Sequence, residues 1–309
     1  MSKSALNSSG STALIDRLLH LLPSAEKLDW SQTMAARWAQ GAGPALFRVA
    51  GLKAMGEASD AQLDDLLHID TQKAQLEQNT QQFLAGLPAN NVLLWGSRGT
   101  GKSTLVQALL NKYGVQGLRL VEIGREDLAD LPLLVETLRD APYRFMVFCD
   151  DLSFEQNDAS YKALKSALEG SVFSQSANVL FYATSNRRHL LPEYHSDNAT
   201  TAVGDAELHH GEAVEEKISL SDRFGLWLSF YPFRQDTYLE VVAHCVAELA
   251  HANGLSAEMV EQLTEQWQQE SLQFALARGA RNGRAARYFA KAWVGRVCLE
   301  QRDASPSKN

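Results

Sequence analysis

The chain has 309 residues, a formal charge of −8 and 45% hydrophobic residues. That length supports one large or two modest domains with real cores, and the acidic balance argues against a general nucleic-acid coat. Cys149, Cys245 and Cys298 are far apart and form no C-x-x-C pair, so a disulfide framework or zinc site is not expected and a reducing compartment fits best.

Residues 1–11 are small and polar and read as disordered. They contain no apolar signal core, and no run in the chain approaches membrane-spanning length, so cytoplasm is the expected location and no membrane partner is implied. Residues 12–60 read as an N-terminal helical extension. Leu14, Leu18, Leu19, Leu21 and Leu22 suggest one amphipathic helix stopped at Pro23, and Trp30 and Trp38 a second before the break at Gly41-Ala42-Gly43-Pro44. Such a stripe packs on the main domain or binds a partner.

Ala61 to Pro88 reads as helix. It feeds Asn91-Val92-Leu93-Leu94-Trp95, an apolar run suited to a buried parallel strand. Four more strand candidates follow, at Leu118–Ile123, Arg144–Cys149, Asn178–Ala183 and Leu226–Tyr231. Helical segments lie around Leu131–Arg139 and Tyr161–Glu169. Strands alternating with helices predict a parallel α/β sheet covered on both faces, over residues 61–233. After Pro232 the strands stop. Tyr238–Ala250, Glu258–Trp267, Ser271–Ala277 and Arg284–Val297 look helical, which predicts a small all-helical domain at 234–302 and a loose tail at 303–309. The stretch from His195 to Glu216 is acidic and contains His195, His209 and His210; it lacks the fixed spacing of a metal motif and reads as a solvated loop.

The chemistry is concentrated in Gly96-Ser97-Arg98-Gly99-Thr100-Gly101-Lys102-Ser103, followed by Thr104. This is G-x-x-x-x-G-K-S between a strand and a helix, the pattern of a loop that cradles a nucleoside triphosphate. Its glycines let backbone N–H groups converge on phosphate, Lys102 can reach the β and γ phosphates, and Ser103 offers a hydroxyl to Mg²⁺. The strand at 144–149 ends in Asp150-Asp151, facing the ligand crevice. Asp150 is placed to hold Mg²⁺ beside Ser103, and Asp151 to orient and deprotonate water. The next strand ends in Thr184-Ser185-Asn186, where Asn186 is the choice for a polar amide between the acids and the γ-phosphate.

With these residues the chain resembles an AAA+ ATPase, and in detail the bacterial family called domain of unknown function 815. The similar stretches include Phe148–Glu155, Ala183–Leu190, Ser219–Gly225 and Gly283–Ala286. The resemblance implies a P-loop AAA+ domain with a C-terminal helical lid, ATP and Mg²⁺ as ligands, and hydrolysis of ATP. It makes Lys102 the Walker A lysine, Asp150 the Walker B acid and Asn186 the sensor 1 residue. Arg223 becomes an arginine finger reaching a neighbour's γ-phosphate, Arg284 a sensor 2 arginine, and His68-Ile69-Asp70 a neighbour of the adenine. From the residues alone, the alternatives are that Arg223 pairs with Asp222 or Glu216 and that Arg284 lies on a solvated helix face. A trans finger implies a homo-oligomer. The expected activity is remodelling of a protein partner; a nucleic-acid-linked loader or initiator is the alternative, supported by the Asp-Asp form and the arginines from Arg278 to Arg287, and a metabolite kinase is disfavoured. Many AAA+ proteins carry Asp-Glu where this chain has Asp150-Asp151, and the shorter acid implies slow hydrolysis unless Glu155 takes over.

Overall fold

The computed structural model describes residues 28–40, 50–56, 59–154, 158–169, 177–188, 190, 220 and 222–304. The expected helix over Leu14–Leu22, the His195–Glu216 loop and Glu155 lie outside the described residues.

Among the described residues, seven strands form one sheet: β1 (Ala35–Gln40), β2 (Ala50–Ala54), β3 (Val92–Gly96), β4 (Leu118–Ile123), β5 (Arg144–Cys149), β6 (Val179–Ser185) and β7 (Leu226–Phe230). Their spatial order is β2-β1-β4-β5-β6-β3-β7. All pairings are parallel except β1 with β2, which is antiparallel.

The central strands read as largely apolar runs because both faces are covered, yet side chains still alternate. In β5, Phe145, Val147 and Cys149 enter one core while Met146 and Phe148 enter the other. In β6, Phe181 and Ala183 face the first core and Leu180 and Tyr182 the second. Helices α1 (Asp70–Leu84) and α2 (Lys102–Tyr113) cover the second face. Helices α3 (Leu131–Leu138) and α4 (Ala159–Glu169) cover the first.

The helices α5 (Gln235–Ala252), α6 (Ala257–Gln262), α7 (Thr264–Ala277) and α8 (Gly283–Ala304) have a separate core. It is built on Tyr238, Val242, Trp267, Phe289 and Trp293. The expected fold class, a parallel α/β sheet with flanking helices and an all-helical C-terminal unit, is what forms.

One expectation fails. The second helix of the 12–60 extension does not form, because Trp38 lies in β1 and residues 50–54 make β2. Its apolar spacing is that of a strand. Ala35, Ala36 and Trp38 are buried, and β1 pairs with β4 so that Trp38 lies opposite Ile123. Packing against the sheet overrides the helical reading, and the sheet therefore begins before residue 61. In addition, Glu258–Trp267 and Ser271–Ala277 are divided at Leu263 rather than between Trp267 and Ser271.

Candidate functional site

The carboxyl ends of β3, β5 and β6 converge, which is where open α/β sheets bind ligands. Strand order explains the convergence: β6 lies between β3 and β5. The residue after β6 therefore falls between the phosphate loop that ends β3 and the acids that end β5.

The loop is built for close backbone approach. Gly96 has φ +126, and a Cβ there would lie 2.0 Å from the backbone oxygen of Phe230. Only glycine fits, because Ser97 N–H bonds that same oxygen at 3.0 Å. Gly101, at φ +97, starts α2 without any side-chain cap. The first N–H groups of α2 are thus left for an anion, at the positive end of the helix dipole. Thr100 Oγ1 donates to Ser97 O at 2.8 Å and fixes the curl.

Lys102 is only 7% exposed. Its ammonium donates to Gly96 O at 2.7 Å and Ser97 O at 2.8 Å, with Asn186 Oδ1 at 3.5 Å. Burial is the largest influence on it and pushes its pKa down to about 8, with Arg284 and Arg98 adding repulsion. Asp150 and Asp151 pull the other way. An ammonium buried among its own loop carbonyls favours a polyanion that would restore its charge.

The two acids are held by Thr184, which is 2% exposed. Its hydroxyl donates to Asp150 Oδ1 at 2.5 Å and accepts from Asp151 N–H at 2.9 Å. Ser103 Oγ donates to the same Asp150 oxygen at 2.7 Å. Asp151 occupies a left-handed backbone conformation, φ +53, uncommon for a residue with a Cβ and of the sort that functional sites retain. Its carboxylate accepts from Asn186 Nδ2, and Arg98 lies 3.5 Å away. Asn186 therefore bridges Lys102 and the second acid.

The opposite wall comes from the helical unit. A cleft of about 880 Å³ is lined by the loop, both acids, Asn186 and Arg284. Its apolar end includes Ile69, Val241 and Cys245; burial pushes the Cys245 thiol up to about 11, so this end carries no thiolate. His68 pairs instead with Glu240 at 2.9 Å, and Asp70 with Lys73 at 3.0 Å. Arg223 stands in the turn before β7 and is not among the residues lining this cleft.

These residues suit the expected ligands. The glycine cradle admits phosphate, and Ser103 Oγ with the Asp150 carboxylate gives the hard oxygen donors Mg²⁺ prefers. Sequence reasoning singled out Asn186 and missed the bridge made by Thr184; the signal was a hydroxyl at the carboxyl end of the strand. It also missed Asn282, whose Nδ2 donates to Arg98 O at 2.9 Å.

A family model described as "Protein of unknown function (DUF815)" matches residues 31–297. No curated protein matches. Among solved structures, the chain is similar to the Thermotoga maritima RuvB Holliday junction branch migration motor, at 14% identity and a TM-score of 0.41, over 75% of this chain and 72% of that one. It is also similar to a DNA replication initiation factor, at 16% identity and TM-score 0.43, over 79% and 68% of the two chains. A third is the replication initiator DnaA bound to AMPPCP and single-stranded DNA, at 15% identity and TM-score 0.42, over 79% and 69%.

Proposed function

Because the chain belongs to the family described as protein of unknown function (DUF815), its function has to be argued from its own site, and we propose that it binds Mg²⁺-ATP and hydrolyses it as an AAA+ protein that remodels a protein partner. The observation that carries this reading is the meeting of Lys102, the Ser103–Asp150 pair and the Asp151–Asn186 pair in one cleft roofed by Arg284.

Each side chain has a task in phosphoryl transfer, which depends on positioning and on charge placed where it develops. The P-loop N–H groups and Lys102 hold the β and γ phosphates. Ser103 and Asp150 would hold Mg²⁺, which would offset the negative charge that develops on the phosphates. Asn186, already bonded to Asp151, sets the acid's orientation beside the γ-phosphate. Asp151 orients the attacking water and takes its proton on a carboxylate oxygen. Arg284 reaches the phosphates from the lid. Arg223, away from its own cleft, is assigned to a neighbour's γ-phosphate, where an arginine supplied in trans is worth about 10³–10⁵ in rate. This requires assembly of several copies.

One observation favours a second reading, a nucleic-acid-linked loader. The exposed Arg278 lies over the Phe274 ring at 4.6 Å and the Tyr288 ring at 5.4 Å, close in sequence to Arg281, Arg284 and Arg287. Binding to DNA or RNA that falls steeply with salt would support it.

The test is turnover. Arg223→Ala should abolish hydrolysis while ATP still binds. Normal hydrolysis by that variant would refute the finger and the assembly it implies.

A further inference from the structure

The lid helix α8 grips the crest of the phosphate loop through one side chain. Asn282 immediately precedes α8, and both ends of its amide are engaged. Its Oδ1 accepts from Ala285 N–H at 2.8 Å, which caps the helix. Its Nδ2 donates to Arg98 O at 2.9 Å. Beside it, Arg284 N–H donates to Gly99 O at 3.1 Å. The fit is close: a Cβ on Gly99, at φ +75, would lie 2.9 Å from Arg284 Cβ and 2.9 Å from Asn282 Cγ. The segment is tied from its other side too, since Phe233 N–H donates to Arg281 O at 2.9 Å.

These bonds fix the peptide planes that matter most. None of the described peptide bonds is cis. In a trans peptide the N–H points opposite to the carbonyl of the same plane. With the Arg98 and Gly99 carbonyls turned to the lid, the N–H groups of Gly99 and Thr100 point away from it. The contact that orients these two donors is also the contact that places Arg284, the residue two positions on.

We propose that Asn282 is a positioning residue that clamps α8 to the P-loop, so that phosphate occupancy of the loop and the position of the helical unit are coupled through its amide. This rests on the nucleotide reading above. An N-cap needs only an acceptor, and Asp or Ser serves as well as Asn. The second bond needs a donor of amide length, which neither supplies. Arrival or loss of phosphate on the loop therefore reaches the lid, and Arg284 with it, through Asn282.

The experiment compares Asn282→Asp and Asn282→Ser with Asn282→Ala in the full chain, each with and without Arg284→Ala. ATP binding by the wild-type chain is measured first; its absence would overturn the nucleotide reading itself. Asp and Ser keep the cap, so their melting temperatures should stay close to wild type. Turnover should nonetheless fall by up to about a hundredfold in all three, the scale of a reacting group displaced by about 1 Å. Adding Arg284→Ala should bring little further loss, because both changes act through one arrangement. Wild-type turnover in Asn282→Asp or Asn282→Ser would overturn the proposal, as would losses that multiply with that of Arg284→Ala.

Discussion

Thr184→Val is the sharpest perturbation of the acid pair. Valine copies the shape of threonine, so the core around this 2%-exposed residue is preserved. What disappears is one hydroxyl with two bonds, to the Asp150 carboxylate and from Asp151 N–H at 2.9 Å. A hydrogen bond to a charged group contributes about 1.5–3 kcal/mol, and the Asp151 N–H is left without its acceptor. The folded chain should therefore lose about 1–3 kcal/mol in urea titration. Asp150 would retain Ser103 but lose its second anchor, and loss of such outer partners typically lowers metal affinity or activity by about 10–100-fold. Turnover measured against Mg²⁺ concentration should show the curve shifted to higher Mg²⁺, and Thr184→Ser should bring it back. A Thr184→Val chain with wild-type Mg²⁺ dependence would refute the argument that this hydroxyl positions the acids.

Other outcomes follow from the same geometry. Because burial depresses Lys102 to about 8 from an ordinary 10.5, its ammonium discharges as pH rises past 8, and ATP affinity should weaken about tenfold between pH 7 and 9. In the unliganded protein the sign reverses: the neutral amine no longer resists burial, so stability should rise from pH 8 towards 10.5, and a flat affinity profile alongside that rise would show that Lys102 does not meet phosphate. Gly99→Ala places a methyl against Arg284 and Asn282 at φ +75, costing about 1–2 kcal/mol in backbone strain before any clash; both melting temperature and turnover should drop, and wild-type behaviour would contradict the close lid contact. Mixing Arg223→Ala chains with Lys102→Ala chains should restore part of the turnover each lacks alone, whereas no recovery would speak against a finger supplied in trans. Asp151→Asn should bind ATP, stall and retain its protein partner in affinity capture; retention no greater than wild type would leave remodelling unsupported.

Much of this fold was legible because the central strands are buried on both faces. Arg144–Cys149 is apolar after its first residue and Leu118–Ile123 is apolar but for Arg119 and Glu122, and both strands begin and end there. The loop declared itself through Gly96, Gly99 and Gly101, all three at positive φ. Trp38 was harder to read. In a short segment its spacing serves a helix or a strand, and only pairing with β4, far along the chain, decides it. Thr184 and Asn282 were hidden for a related reason. Each acts through a bond to a residue distant in sequence, and a lone threonine or asparagine at the end of an element has many ordinary uses. Arg223 shows the opposite case, where a role drawn from resemblance requires a neighbouring copy.

The central claim is that this cleft holds Mg²⁺-ATP through Lys102. Calorimetric titration of the wild-type chain and of Lys102→Ala with Mg²⁺-ATP tests it most directly. The account predicts one saturable site per wild-type chain and loss of that binding in Lys102→Ala. Equal binding by the two chains, or none by the wild type, would contradict it.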